Sequence, residues 1–334
     1  NLIQYLSQTT SEHEYICYVD GQKTLPNLPH VSWRQISIPW YSWQEQVILP
    51  RLIKNDRVML MHYLHFNVPL FSPQPYVVTI HDFILKQYPS YRSVIEKNFY
   101  AFKKIAYELV IANAIRKAER LITVSEFSRN ELQRFYPKYA AKATVIPPGF
   151  AGEIKMRDNN LHFDNFFLYV GNCYPHKDTE TLMRAYRQYR TFGGLTNLHM
   201  VTPDDAYSRN IKKRYTDDTI TWKHSLSDSA LDEEYRQAKV LIYASRYEGY
   251  GLPVLEALAQ NLLVICSDIP ALRELAGSLV TYYPTGDWER LGELLAGTEW
   301  KTQPSGEKIR ELCQSQHWQT LINSYLEIYE SVKR

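Results

Sequence analysis

Apolar residues come in short runs of about three to six, separated by longer stretches in which apolar positions recur at helical spacing. In the first half the runs fall at 15–19, 57–62, 76–80, 120–124 and 144–146. In the second half they begin at 166 and recur at 198–201, 219–222, 240–243 and 262–266. Runs this short, alternating with helical patterns, predict α/β construction with parallel sheets. Between the two series stand Pro147, Pro148 and Gly149, then a polar, weakly patterned stretch up to Asp164. The pattern therefore predicts two α/β domains joined by a linker. In open parallel sheets ligands bind beyond the C-terminal ends of the strands.

Two segments at such strand ends carry candidate chemistry. Residues 245–259 read S-R-Y-E-G-Y-G-L-P-V-L-E-A-L-A, with Glu248 and Glu256 eight apart across a Gly-x-Gly turn. Pro253 suits the first position of a helix, which puts Glu248 in the loop and Glu256 on the first turn. Gly249 and Gly251 allow a sharp bend and close approach to backbone N–H groups, and the helix start adds unpaired donors and partial positive charge. Gly249, Tyr250, Gly251 and Leu252 thus form a candidate anion seat flanked by two acids. The same run also fits ordinary strand–turn–helix construction with a solvated glutamate. Residues 166–178 read F-F-L-Y-V-G-N-C-Y-P-H-K-D, an apolar strand, a loop opening on Gly171 and Asn172, and Lys177 just before the next helix. A cation is slightly unfavourable at a helix start, so a phosphate partner explains Lys177 better than a solvated surface position does.

These motifs resemble the E-x7-E element and nucleotide-binding start of the retaining glycosyltransferases of family four, in particular bacterial mannosyltransferases of polysaccharide and O-antigen assembly. Further segments are similar to the same family: T-I-H-D-F from Thr79, L-I-T-V-S-E-F-S from Leu121, V-I-P-P-G from Val145, S-D-I-P-A-L-R-E from Ser267 and W-Q-T-L-I-N-S-Y-L-E-I-Y from Trp318. The resemblance implies the GT-B fold, two Rossmann-like domains facing across a cleft. It implies an acceptor-binding domain at 1–152, a nucleotide-sugar domain at 163–316, and a closing helix at 317–334 packed back on the first domain. It assigns donor-sugar hydroxyls to Glu248, the diphosphate to Lys177 and the turn amides, the ribose to Glu256, and a place near the donor sugar and acceptor to His81. A lone histidine ending a strand is also often just a packed residue. Asn172 stands where many members carry Arg, which weakens the expected cationic clamp. Asn1 opens a fragment similar to the end of the family's first helix, so the resemblance implies a strand and a Gly-containing loop upstream.

Composition agrees with this expectation. The 334 residues are 45% apolar, enough for two cores. The four cysteines, Cys17, Cys173, Cys266 and Cys313, lack zinc or C-x-x-C spacing and fit thiols of a reducing compartment. No apolar run is long enough to span a bilayer and no signal peptide is seen, so a cytoplasmic location is expected, with peripheral association at the inner face of a membrane. Residues 1–150 carry 17 Lys and Arg against 11 Asp and Glu, and the remainder 21 against 25. Much of the basic excess lies at 92–120, where Phe99, Phe102, Ala106, Leu109 and Ala112 recur at helical spacing among Lys97, Lys103, Lys104, Arg116, Lys117 and Arg120. Such a helix either lies on an anionic membrane or, more commonly, covers a core with its apolar stripe.

The expected reaction is transfer of a hexose from a nucleotide sugar, GDP-mannose by resemblance, to a glycan or polyprenyl-diphosphate-linked glycan, with no nucleic-acid partner and no cofactor. No D-x-D occurs, so metal-independent transfer is expected, with retention by front-face substitution. UDP- or ADP-sugar donors, a nucleotide-sugar epimerase and a non-catalytic sugar-nucleotide binder are the alternatives. A dehydrogenase lacks the G-x-G-x-x-G that would follow a strand.

Overall fold

The structure, a computed structural model, describes residues 1–9, 13–21, 25–39, 42–88, 94–152, 154, 166–297, 300 and 304–332, and of residues 94–103 the backbone alone. Most of the stretch expected as a linker lies outside the described residues. The chain forms two compact units, one of residues 1–82, 98–151 and 315–334, the other of 83–97 and 152–314. The sequence pattern places 83–97 in the first domain, and here the structure differs.

In the first unit, β1 (Tyr15–Asp20) and β2 (Val31–Ile36) form a parallel pair. A second parallel sheet contains β3 (Met61–Tyr63), β4 (Tyr76–Ile80), β5 (Arg120–Thr123) and β6 (Ala143–Val145), in that spatial order. Every residue of β4 is buried, as expected of a strand covered on both faces. Helix Trp318–Val332 turns Trp318, Ile322, Tyr325, Ile328 and Tyr329 into one apolar stripe, which packs with Leu6, Val77, Ile122 and Ile146. Gly149 is required there: a Cβ would stand 2.1 Å from the Trp318 ring.

Helix Val94–Lys117 corrects the stripe expected from its sequence. Its buried face is Ile111, Ala114 and Ile115, whereas Ala106 and Leu109 of the expected core stripe are exposed, Leu109 at 62% beside Ile105 at 61%. The two apolar sets lie on different sides of the helix, and only the C-terminal set meets the unit's core. Phe99 and Phe102, with Lys97 and Lys103, have side chains outside the described residues.

The second unit is one six-stranded parallel sheet of β7 (Phe166–Val170), β8 (Asn197–Val201), β9 (Ile220–Lys223), β10 (Val240–Tyr243), β11 (Leu263–Ser267) and β12 (Thr281–Tyr283), in the order β12-β11-β10-β7-β8-β9. The chain builds outward from β7 in one direction, then crosses back to start β10 on its other side. The C-terminal ends of β7 and β10 therefore flank a topological switch point, the place where such sheets open a crevice. Helices Thr179–Thr191 and Trp288–Ala296 pack on one another and close one face with Leu182, Tyr186, Leu291 and Leu294. From the segment 83–97, Phe83 is fully buried and its N–H donates to the Tyr247 hydroxyl at 3.3 Å.

Candidate functional site

Both motif loops leave the sheet at this switch point, the one carrying Lys177 after β7 and the one carrying Glu248 after β10. Gly171 starts the first loop at φ +149°, with its N–H donating to Val201 O at 3.0 Å. Asn172 is used by the loop itself: its side-chain oxygen accepts from Tyr174 N–H at 3.1 Å and its carbonyl accepts from the Tyr169 hydroxyl at 2.6 Å. Pro175–Lys177 then makes one 3-10 turn, and Asp178, at φ +47°, leads into helix Thr179–Thr191.

The second loop turns at Gly251, whose φ is +119° and whose added Cβ would stand 2.6 Å from Leu272 Cδ2, so that no other residue fits without displacement. The helix that follows is Leu252–Ala259. It begins one residue before Pro253, so Glu256 sits on its second turn and not on its first. Pro253 has no N–H, and the Val254 and Leu255 N–H groups donate to the Gly251 carbonyl at 2.9 and 3.3 Å, so Gly251 and Leu252 remain as the amide positions of the candidate anion seat at this helix start. Tyr250 is buried, and burial together with neighbouring Glu274 holds its phenol well above the usual range.

Lys177 and Glu248, 71 residues apart in sequence, meet directly. Lys177 Nζ donates to Glu248 Oε1 at 2.6 Å, and the two side chains are only 13% and 9% exposed. A third member was missed from the sequence: the Tyr243 hydroxyl donates to the same Oε1 at 2.8 Å and accepts from Lys177 Nζ at 3.1 Å. Burial first, then the Glu248 charge, holds the Tyr243 phenol protonated far above its usual range. His176, next to Lys177, is driven down to about 4 by burial and then by the Lys177 charge, so the imidazole is neutral near pH 7. Taken together, the cluster sets one cation, one carboxylate and one phenol, all largely buried, within hydrogen-bond distance of one another. Such a set can exchange its internal ion pair for an anion and a hydroxyl group of a ligand.

Glu256 is a separate, half-buried carboxylate on the same helix. The hydroxyl of fully buried Tyr235 donates to its Oε2 at 2.8 Å, a second partner not foreseen from the sequence. Burial raises the Glu256 pKa, with Asp232 and Asp228 adding to the shift and the Tyr235 hydrogen bond partly offsetting it. His81 lies on the first unit, exposed at the end of β4, where its Nε2–H donates to Leu64 O at 2.8 Å. Among the described residues, no three His, Cys, Asp or Glu side chains are grouped so as to hold a metal ion.

Comparison with known proteins gives this geometry its context. Residues 1–151 match the family model of Glycosyltransferase Family 4, and residues 153–300 match that of Glycosyl transferases group 1. The chain belongs to glycosyltransferase family 4. As a glycosyltransferase it is a sugar-transferring enzyme, and its two Rossmann-like parallel-sheet units are those of the GT-B fold. It is similar to the O-antigen chain mannosyltransferase RfbU of Salmonella typhimurium, with 27% identity over 254 residues, 74% of this chain and 67% of that protein. It is also similar to the O-antigen chain mannosyltransferase B of Escherichia coli, with 26% identity over 60% of this chain and 55% of the other. The glycosyltransferase chain thus spans about two thirds and about half of the lengths of these two relatives. Among solved structures, sucrose-phosphate synthase from Thermosynechococcus elongatus superposes with a TM-score of 0.75 at 19% identity, covering 99% of this chain and 92% of that one.

Proposed function

We propose that this glycosyltransferase moves a mannosyl group from GDP-mannose to a glycan or lipid-linked glycan with retention of anomeric configuration, and that the Lys177–Glu248–Tyr243 cluster is its donor site. The observation that carries the reading is the Lys177–Glu248 pair at 2.6 Å, set where the β7 and β10 loops converge beside the Leu252–Ala259 helix start. When the donor binds, its diphosphate takes the place of Glu248 as the partner of Lys177, and Glu248 turns to the sugar hydroxyls. The amides of Gly249 to Leu252 bind the same diphosphate, and Glu256 accepts from the ribose hydroxyls. With Asn172 engaged in its own turn, Lys177 and the helix start carry the charge of the leaving group.

The anomeric C–O bond breaks with its electron pair going to the diphosphate. Fixed positive charge at that position lowers the barrier because the charge develops in the transition state. The acceptor hydroxyl attacks from the same face within the ion pair and passes its proton to the departing phosphate oxygen. His81 serves at the acceptor side, and no metal or other cofactor takes part. The names of the curated relatives support mannose as the transferred sugar.

The acceptor reading includes peripheral attachment to an anionic membrane. Ile105 and Leu109 stand exposed on helix Val94–Lys117 beside exposed Lys104, an apolar and basic combination suited to an interface. Among the described residues no helix is long and apolar enough to cross a membrane.

A melting-temperature screen of GDP, UDP and ADP with their sugar conjugates, followed by proton NMR of the product formed with an added glycan acceptor, tests the reading. Stabilisation by GDP and GDP-mannose, with an α-linked product, is expected. Stabilisation by UDP or ADP alone would replace the donor, and sugar conversion without acceptor would replace transfer by epimerisation.

A further inference from the structure

Resting on the donor-site reading above, we propose that Arg246 is a positioning residue that locks the Lys177 turn against the Glu248 loop. Lys177 lies between His176 and Asp178, and Arg246 holds both. Its backbone N–H donates to His176 O at 2.7 Å, and its guanidinium Nε donates to Asp178 Oδ2 at 2.8 Å. Arg246 is two residues before Glu248, so one residue ties the loop after β10 to both neighbours of Lys177. From between these two tied residues the Lys177 side chain reaches Glu248 and Tyr243.

Three details show that the bracket is more than a surface ion pair. First, Asp178 is 7% exposed and sits at the N-cap of helix Thr179–Thr191, yet its side chain makes no capping hydrogen bond. Aspartate at this position ordinarily accepts from the first helical amides. Here the carboxylate is turned instead to Arg246 and to the Thr181 hydroxyl, which donates at 2.8 Å. Second, Asp178 adopts φ +47°, ψ +42°, a left-handed conformation that costs energy in a residue with a Cβ. A forgone cap and a strained backbone together mark a residue held for the geometry of the turn. Third, the guanidinium lies against Gly286 of the turn after β12, where an added Cβ would stand 3.0 Å from its terminal nitrogen. Gly286 itself is at φ +82°, where a residue with a Cβ is strained, so an alanine there would disturb this turn as well as crowd the guanidinium.

The consequence is preorganisation. A displacement of about 1 Å at a reacting centre can cost on the order of 10² in rate, even when the altered residue is remote from the chemistry. Arg246 supplies no group to the cluster of Lys177, Glu248 and Tyr243, so its effect passes through the placement of Lys177.

The test uses the whole chain with its donor and acceptor, and compares Arg246→Ala, Arg246→Lys, Asp178→Asn, Gly286→Ala and Lys177→Ala. For each variant, kcat, donor KM, the dissociation constant of the nucleoside diphosphate and the melting temperature are measured. Arg246→Ala and Asp178→Asn are expected to lower kcat at saturating donor by roughly tenfold or more. A double variant combining Arg246→Ala with Asp178→Asn should be no slower than the worse single one, since both changes break one contact. Arg246→Lys should recover part of the loss, and Gly286→Ala should reproduce part of it from outside the site. If Arg246→Ala does not fold, Arg246→Lys and Asp178→Asn decide. Unchanged kcat and diphosphate affinity in folded Arg246→Ala and Asp178→Asn, with Lys177→Ala impaired, would overturn the positioning role alone. Unchanged kcat and diphosphate affinity in Lys177→Ala as well would overturn the donor-site reading too.

Discussion

Lys177 Nζ and Glu248 Oε1 stand 2.6 Å apart, and their side chains are only 13% and 9% exposed. Removing one partner of such a pair leaves the other charge buried and uncompensated, which costs more than the pair itself contributes. In the proposed donor site the two residues consequently would not behave as independent contacts to a diphosphate and a sugar.

Glu248→Gln follows directly from this. It leaves Lys177 without its counter-charge, so the unliganded protein should lose about 1 to 3 kcal/mol of stability. A nucleoside diphosphate restores an anionic partner, so it should bind the variant at least as tightly as the native enzyme and raise its melting temperature more. Turnover should still fall, by about 10² for the loss of a positioned electrostatic contact. Calorimetry beside initial rates checks both halves, and weaker diphosphate binding by the variant would contradict them.

Glu256 gives a pH signature. Its folded pKa is raised by burial and by Asp232 and Asp228, so the fold disfavours the ionised form. The sign is that of an acid shifted upward: its contribution is most favourable below the unfolded carboxylate value of about 4.3 and is lost as pH rises through the higher folded value. Glu256→Gln, whose amide oxygen can still accept from Tyr235, should therefore be more stable than the native chain near pH 7 and lose that advantage in acid. Nucleotide affinity should fall by about 1 to 3 kcal/mol, the scale of a hydrogen bond to a charged group. Melting curves across pH, with parallel titrations, measure the two effects separately.

The glutamates, the glycine turn and Lys177 were legible because each motif is local: a short polar or glycine segment directly after an apolar strand. Tyr243 and Tyr235 were not. Tyr243 ends the run V-L-I-Y, which reads as plain strand core, and its hydroxyl reaches Lys177 only after β10 is laid beside β7. Tyr235 lies on an amphipathic helix, where burial of an aromatic is the ordinary expectation. The edge strands β2 and β12 also escaped notice, the first for its broken V-S-W-R-Q-I pattern and the second for its three residues. In helix Val94–Lys117 the spacing of Ala106 and Leu109 suggested a core stripe, but spacing alone does not say which of two apolar faces meets the core.

That second face leads to a membrane prediction. Native protein should co-sediment with vesicles containing anionic lipid, and the binding should weaken with salt, because surface attraction is screened over about 8 to 10 Å at physiological ionic strength. Ile105→Glu with Leu109→Glu should abolish the binding and leave the melting temperature nearly unchanged, since both side chains are more than half exposed. Equal binding to neutral and anionic vesicles would contradict a charge-assisted contact.

The most direct test of the proposed donor site is a calorimetric titration of native protein and Lys177→Ala with whichever of GDP, UDP or ADP stabilises the native protein most. Loss of the ammonium group should weaken binding at least tenfold, about 1.4 kcal/mol, and lower turnover in parallel, because the charge meets the diphosphate in both the ground and the transition state. Binding of equal strength in a folded Lys177→Ala variant would show that the diphosphate lies elsewhere.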